Sequence, residues 1–165
     1  MKSKTQIIII MGVAGCGKST IGSMLAHELG WDFYDADDFH SESNRIKMAQ
    51  NIPLTDEDRA GWLDSLRSLI GQNIQNEKPI VLACSALKKS YRDILMINEH
   101  VKFIYLRGTY EQIEARLLQR SGHFMSAKML ASQFDILEEP QDALTIDISH
   151  TPQEIISIIR KGLAL

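Results

Sequence analysis

The chain reads as an α/β domain with a five-stranded parallel sheet flanked by helices. Three observations predict this. Ile7–Met11 is the unbroken run IIIIM, the pattern of a strand covered on both faces. A glycine-rich turn, GVAGCGKS, separates that run from STIGSMLAHELG, whose apolar residues recur at helical spacing. Short apolar runs then alternate with amphipathic stretches along the rest of the chain, with no internal repeat, low-complexity segment or linker. At 165 residues this fits a single domain with a sizeable core.

Each element has a local cause. The first helix stops at Gly30, a residue that closes helices in the left-handed conformation. WDFY is a short second strand. The stretch TDEDRAGWLDSLRSLIGQNIQNE starts a helix at Thr55, with acids in its first turn and an apolar face through Trp62, Leu66, Leu69 and Ile70. Pro79 precedes the third strand, IVLACSA, and VKFIYLRG is the fourth. Thr109 and Gln112 have capping-box spacing ahead of EARLLQR. ALTIDIS is the fifth strand, and Thr151, Pro152 and Glu154 open the last helix as cap, first-turn proline and acid.

Composition narrows the function. A net charge of −3 offers no basic excess for nucleic acid or an anionic membrane surface. The N-terminal apolar run is too short for a signal-peptide core or a membrane span. The two cysteines, Cys16 and Cys84, make neither a disulfide framework nor a zinc site. The expectation is a cytoplasmic protein with packed, inert thiols, with no nucleic-acid or membrane partner.

Gly12 to Ser19 matches G-x-x-x-x-G-K-[ST] between a strand and a helix, the context this motif requires. Gly12, Gly15 and Gly17 let backbone N–H groups turn toward phosphate oxygens, and the helix N-terminus adds its positive end. Lys18 can reach β- and γ-phosphates, and Ser19 can bind Mg²⁺. The sequence thus implies a nucleoside triphosphate. The third strand runs into ACSALKK without an acid, and no N-K-x-D segment follows, which argues against ATPase motors and switch GTPases.

Attention moves to DADDFH, Asp35 to His40, at the carboxyl end of the second strand, where ligands of parallel sheets bind. These carboxylates are either a solvated turn or a working pair, one near Mg²⁺ and one accepting a hydroxyl proton. His40 is either structural or a hydrogen-bond partner for a polyhydroxylated acceptor. Arg45, Lys47 and Arg59 either grip an anionic acceptor or form ordinary helix surface charge. Arg116 and Arg120 lie four apart on one helix face, before Ser-Gly-His-Phe, as at the edge of a mobile lid.

GVAGCGKST, DADDFH, NRIKMAQNIPLTDEDRAGWL, ACSALKKSYRDIL, FIYLRG and HFMSAKMLASQFDILEEP, in this order from about Ile7 to Pro140, resemble the gluconokinase family. The resemblance implies a P-loop kinase fold over 1–165, with a substrate-binding helical segment at about 40–76 and a lid at about 116–140. It implies transfer of phosphate from ATP to the 6-hydroxyl of D-gluconate, Mg²⁺ as cofactor, and a homodimer. Carried over by position, Gly12, Gly15, Cys16, Gly17, Lys18, Ser19 and Thr20 hold the nucleotide and Arg116 lies against adenine. Ser19 and Asp35 are placed at the metal, with Asp37 as proton acceptor. His40, Lys47, Arg59, Ser85 and Lys88 face the sugar acid, and Arg120 and His123 act from the lid. The family often has D-G-D where this chain has Asp35-Ala36-Asp37.

Overall fold

The computed structural model describes residues 6–119 and 127–165. Five strands, β1 (Ile7–Met11), β2 (Asp32–Asp35), β3 (Ile80–Ala83), β4 (Val101–Arg107) and β5 (Leu144–Asp147), form one sheet in the order β2-β3-β1-β4-β5. All four pairings are parallel. The helices are α1 (Lys18–Leu29), α2 (Glu42–Ala49), α3 (Asp56–Gln75), α4 (Lys89–Leu95), α5 (Tyr110–Gln119), α6 (Ala127–Ile136) and α7 (Pro152–Leu163). None of them is long and apolar enough to cross a membrane.

The run IIIIM works because a strand's side chains alternate between faces. Ile8 and Ile10 join α1, α5, α6 and α7 in one core. Ile7, Ile9 and Met11 join Trp62, Leu63, Leu66 and Ile70 of α3, with Tyr91 and Leu95 of α4, in the other. Every residue of β1 is fully buried.

The caps act as the sequence predicts. Gly30 closes α1 at φ 69°. Thr55 and Asp58 form a reciprocal capping box on α3. Thr109 and Gln112 exchange the equivalent bonds ahead of α5, and Thr151 Oγ1 accepts from Glu154 N on α7. Three helices lie within stretches to which the pattern assigns none individually: α2, α4 and α6. Ser41 caps α2 by accepting from Asn44 N at 3.1 Å.

The loop after β3 is held by a buried arginine. Arg92 donates to the carbonyls of Ala86 (2.7 Å), Leu87 (3.1 Å) and Glu138 (2.8 Å). Ala86 has φ 45°, a left-handed conformation costing a residue with a Cβ roughly 1–2 kcal/mol. These bonds help hold that turn, and they tie the end of β3 to the segment that follows α6.

Leu66 is fully buried at the centre of the α3 face. Leu66→Ala is expected to destabilise the protein by about 2–5 kcal/mol. The check is a urea titration in which the midpoint falls at unchanged slope.

Candidate active site

A cleft of about 600 Å³ opens at the carboxyl ends of β1, β2 and β3. The phosphate loop forms one wall. Gly12 has φ 148°, and a Cβ there would lie 2.7 Å from Cys16 Sγ and 2.8 Å from the Leu106 carbonyl. Gly17 caps α1 at φ 101°. Both positions need glycine for the loop to curl. Lys18 Nζ donates to the Val13 carbonyl at 3.0 Å. Ala14 N–H donates to Gln133 Oε1 of α6 at 2.7 Å.

The acids of DADDFH separate by geometry. Asp35 Oδ2 accepts from Ser19 Oγ at 2.7 Å, and its Oδ1 accepts from Asp37 N at 3.0 Å. A hydroxyl and a carboxylate so placed are hard oxygen donors suited to Mg²⁺, which takes few protein ligands and keeps part of its water shell. Among the described residues, no group of three or more His, Cys, Asp or Glu side chains is disposed to hold a metal. Asp37 lies in the cleft without such a partner. Burial pushes its carboxyl above the ordinary range and Asp35 adds to this, while Lys18 opposes it. That is the environment of a general base.

His40 lines the same cleft. Its ring stacks on Trp62 with centroids 4.4 Å apart and planes 11° apart. Trp62 Nε1 donates to the Ala36 carbonyl at 2.7 Å, which fixes the indole under the acid turn. Burial, with Arg59 and Arg45 nearby, lowers the imidazole to about 4, so it is neutral at pH 7. Arg45 donates to the carbonyls of Asp38 (2.9 Å) and His40 (3.3 Å), bracing the turn.

Of the cations, Arg59 alone of Arg45, Lys47, Arg59 and Lys88 lines the cleft. It donates to the Leu54 carbonyl at 2.7 Å and to Tyr91 Oη at 3.1 Å. Lys47 is instead bound by Asp58 at 2.8 Å, and Lys88 by Asp56 at 2.9 Å. Tyr91 Oη also donates to Asp56. Acids of the first turn of α3 thus hold Lys47 and Lys88, and neither lysine lines the cleft. Ser85 lines the cleft.

Arg116 lines a separate cleft of about 310 Å³ behind the phosphate loop, with Gly15, Cys16, Gly17, Thr20 and His150. Its Nη2 donates to the Ile148 carbonyl at 2.5 Å. Arg120 and His123 lie outside the described residues. Both cysteines are free and buried, and burial pushes the Cys84 thiol up to about 12, as expected of packed, unreactive groups.

The sequence reading missed Asn44, Trp62 as a site residue, and Gln133. Asn44 and Trp62 carried a signal, a polar and an aromatic residue each one turn along from His40 and Asp58 respectively. Gln133 carried none, because its partner lies 119 residues away.

The shikimate kinase family model matches residues 14–158. A probable gluconokinase of Mus musculus is 43% identical over 178 residues, covering 95% of this chain and 97% of that one. The thermosensitive gluconokinase of Escherichia coli (strain K12) is 47% identical over 160 residues, covering 94% and 86%. Among solved structures, a gluconokinase from Sinorhizobium meliloti superposes with a TM-score of 0.87 at 36% identity, over 99% of this chain and 94% of that one. A shikimate kinase from Aquifex aeolicus superposes with a TM-score of 0.64 at 14% identity, over 96% of each chain, a likeness of fold. With its phosphate loop, strand-end acids and near full-length identity to these proteins, the chain belongs to the gluconokinase family of P-loop kinases.

Proposed function

We propose that the protein transfers the γ-phosphoryl group of ATP to the 6-hydroxyl of D-gluconate, giving 6-phospho-D-gluconate and ADP. The observation that carries this is the cleft itself: an uncommitted carboxylate, Asp37, faces the same space as the phosphate loop and Arg59. The names of the full-length relatives support the acceptor.

Gluconate is a linear polyhydroxylated carboxylate. It needs a cation for the carboxylate, polar groups for the hydroxyls and a base at the terminal hydroxyl. Arg59 serves the first need, His40 and Ser85 the second, and Asp37 the third. The 6-oxygen attacks the γ-phosphorus as its proton passes to Asp37 and the bond to the ADP oxygen breaks. Lys18 and the loop N–H groups hold the phosphates, and Arg116 lies against the adenine ring. Ser19 and Asp35 would hold Mg²⁺, which when bound neutralises charge on the β- and γ-phosphates. Arg120 and His123 are proposed to close the site from the lid segment, which excludes water that would otherwise take the phosphoryl group.

The shikimate kinase match makes shikimate the second reading. A coupled assay of ADP release across gluconate, shikimate and nucleoside monophosphates separates the two. Gluconate-dependent turnover is expected, and ADP release indifferent to gluconate refutes the proposal.

Asp37→Asn is expected to leave ATP binding nearly intact and cut kcat by about 10²-fold or more. A rate within a few-fold of wild type removes Asp37 as the base. Lys18→Ala is expected to weaken ATP binding and slow turnover together, and unchanged kinetics would exclude it from the site.

The acid limb of the pH profile has a definite sign. The base works ionised, and its pKa in the fold is raised. Activity in kcat/KM for gluconate therefore falls, as pH drops, at a higher pH than an ordinary aspartate would give. A limb at or below the ordinary aspartate pKa would contradict this.

A further inference from the structure

Two groups in the acceptor half of the cleft have the chemistry of a base, Asp37 and His40. The surroundings of His40 decide between them through a residue that never reaches the cleft lining. Asn44 is 4% exposed, one turn along α2 from the ring. Its Nδ2 lies 2.7 Å from the Asp58 carbonyl oxygen of α3. A backbone carbonyl only accepts, so the amide nitrogen must face Asp58, which fixes the orientation of the Asn44 amide. The same nitrogen lies 3.3 Å from His40 Nδ1. An amide NH₂ has two hydrogens and no acceptor, so Nδ1 must be the accepting, unprotonated ring nitrogen. In a neutral imidazole the proton then sits on Nε2.

We infer that Asn44 is a positioning residue that fixes His40 as the Nε2–H tautomer, making it a hydrogen-bond donor to an acceptor oxygen and disqualifying it as the proton acceptor. The inference rests on the proposed sugar-acid kinase reading for its consequence, not for its geometry. One ring face lies on Trp62 and the Nδ1 edge is taken by Asn44. The Nε2 edge is left for the cleft. Among the described residues, the only sealed side-chain polar atom without a partner is Gln6 Oε1, so Nε2 is not an orphan in the core. The two sides of the acceptor site thus have opposite hydrogen-bond polarity: Asp37 accepts and His40 donates. A polyol fits by offering a hydroxyl proton to one and an oxygen lone pair to the other. An acceptor with only donors at the second position, such as an ammonium, is opposed.

The experiment is a long-range ¹H–¹⁵N correlation spectrum of the imidazoles in ¹⁵N-labelled full-length protein at pH 7, with His40 assigned by the peaks lost in His40→Gln. The expected result is the Nε2–H pattern for His40 in the wild type and averaged ring shifts in Asn44→Ala. Kinetics give the second readout. Asn44→Ala is expected to raise KM for gluconate by about tenfold, the effect of one hydrogen bond, with a smaller change in kcat. In the His40→Gln background the same substitution should add little, because the ring it orients is gone. An Nδ1–H or charged His40 in the wild type overturns the inference. So do ring shifts unchanged in Asn44→Ala, or a rise in KM that persists in full in the His40→Gln background. Should Asn44→Ala fail to fold, the wild-type spectrum decides alone. If gluconate proves not to be the acceptor, the kinetic readout fails with that reading, while the spectrum still tests the tautomer.

Discussion

Strand β3 lies between β1 and β2, and the rest of the site depends on that order. Ala83 pairs with Ile10 on one side and Asp35 on the other, so the two flanking strands end level with each other. Two strand spacings separate them, roughly 10 Å. The phosphate loop leaves β1 and the acid turn leaves β2, and they meet only by reaching over the end of β3. The Ser19 to Asp35 bond makes that span. Strand β3 must therefore end low and small, and it ends at Ala83 and runs into Cys84, Ser85 and Ala86. An acid at the end of β3 would crowd Asp35 with a third carboxylate. The missing acid after the third strand and the surplus acids after the second are one arrangement, with the carboxylate that meets Ser19 supplied one strand outward.

The same burial acts on two groups of opposite sign and moves both toward neutrality. Asp37 is raised and His40 is lowered, with desolvation the leading cause for each. For a base, a raised carboxyl is useful, since it takes a proton more readily. For a donor, a neutral imidazole is useful, since it keeps one proton on one nitrogen and does not compete with Arg59 for the acceptor's negative charge. The structure maintains this with polar contacts internal to the protein: Trp62 to Ala36, Asn44 to Asp58, Arg45 to the Asp38 carbonyl. Removing a partner from either of the first two would leave a desolvated polar group behind it.

The sheet and its helix caps were legible because their causes are local. A β-branched run, a glycine at a helix end and a threonine three residues before its partner act within one turn of chain. The phosphate loop was legible for the same reason. Lys47 and Lys88 were not, because a cation near several acids in sequence does not reveal which acid it meets; the first turn of α3 supplied Asp58 and Asp56 to hold them. Helix α4 is seven residues long, too short for a periodic signal, and is anchored by buried Arg92. Which aspartate meets Ser19 and which stays uncommitted also needed three dimensions. The hydroxyl of Ser19 lies 16 residues from Asp35, and only the fold brings it to one carboxylate and leaves the other uncommitted.

The loop's internal bonds carry the last consequence of this geometry. Lys18 is turned onto the Val13 carbonyl, and Ala14 N–H is occupied by Gln133. A backbone N–H has one hydrogen, so it cannot serve Gln133 and a phosphate oxygen at full strength. A phosphate oxygen that takes Ala14 N–H therefore displaces the carboxamide of Gln133. Gln133 stands on α6, whose Met129 and Ser132 line the acceptor cleft. A single side chain thus ties the phosphate loop to α6, because Gln133 bonds Ala14 and lines the cleft beside Met129 and Ser132.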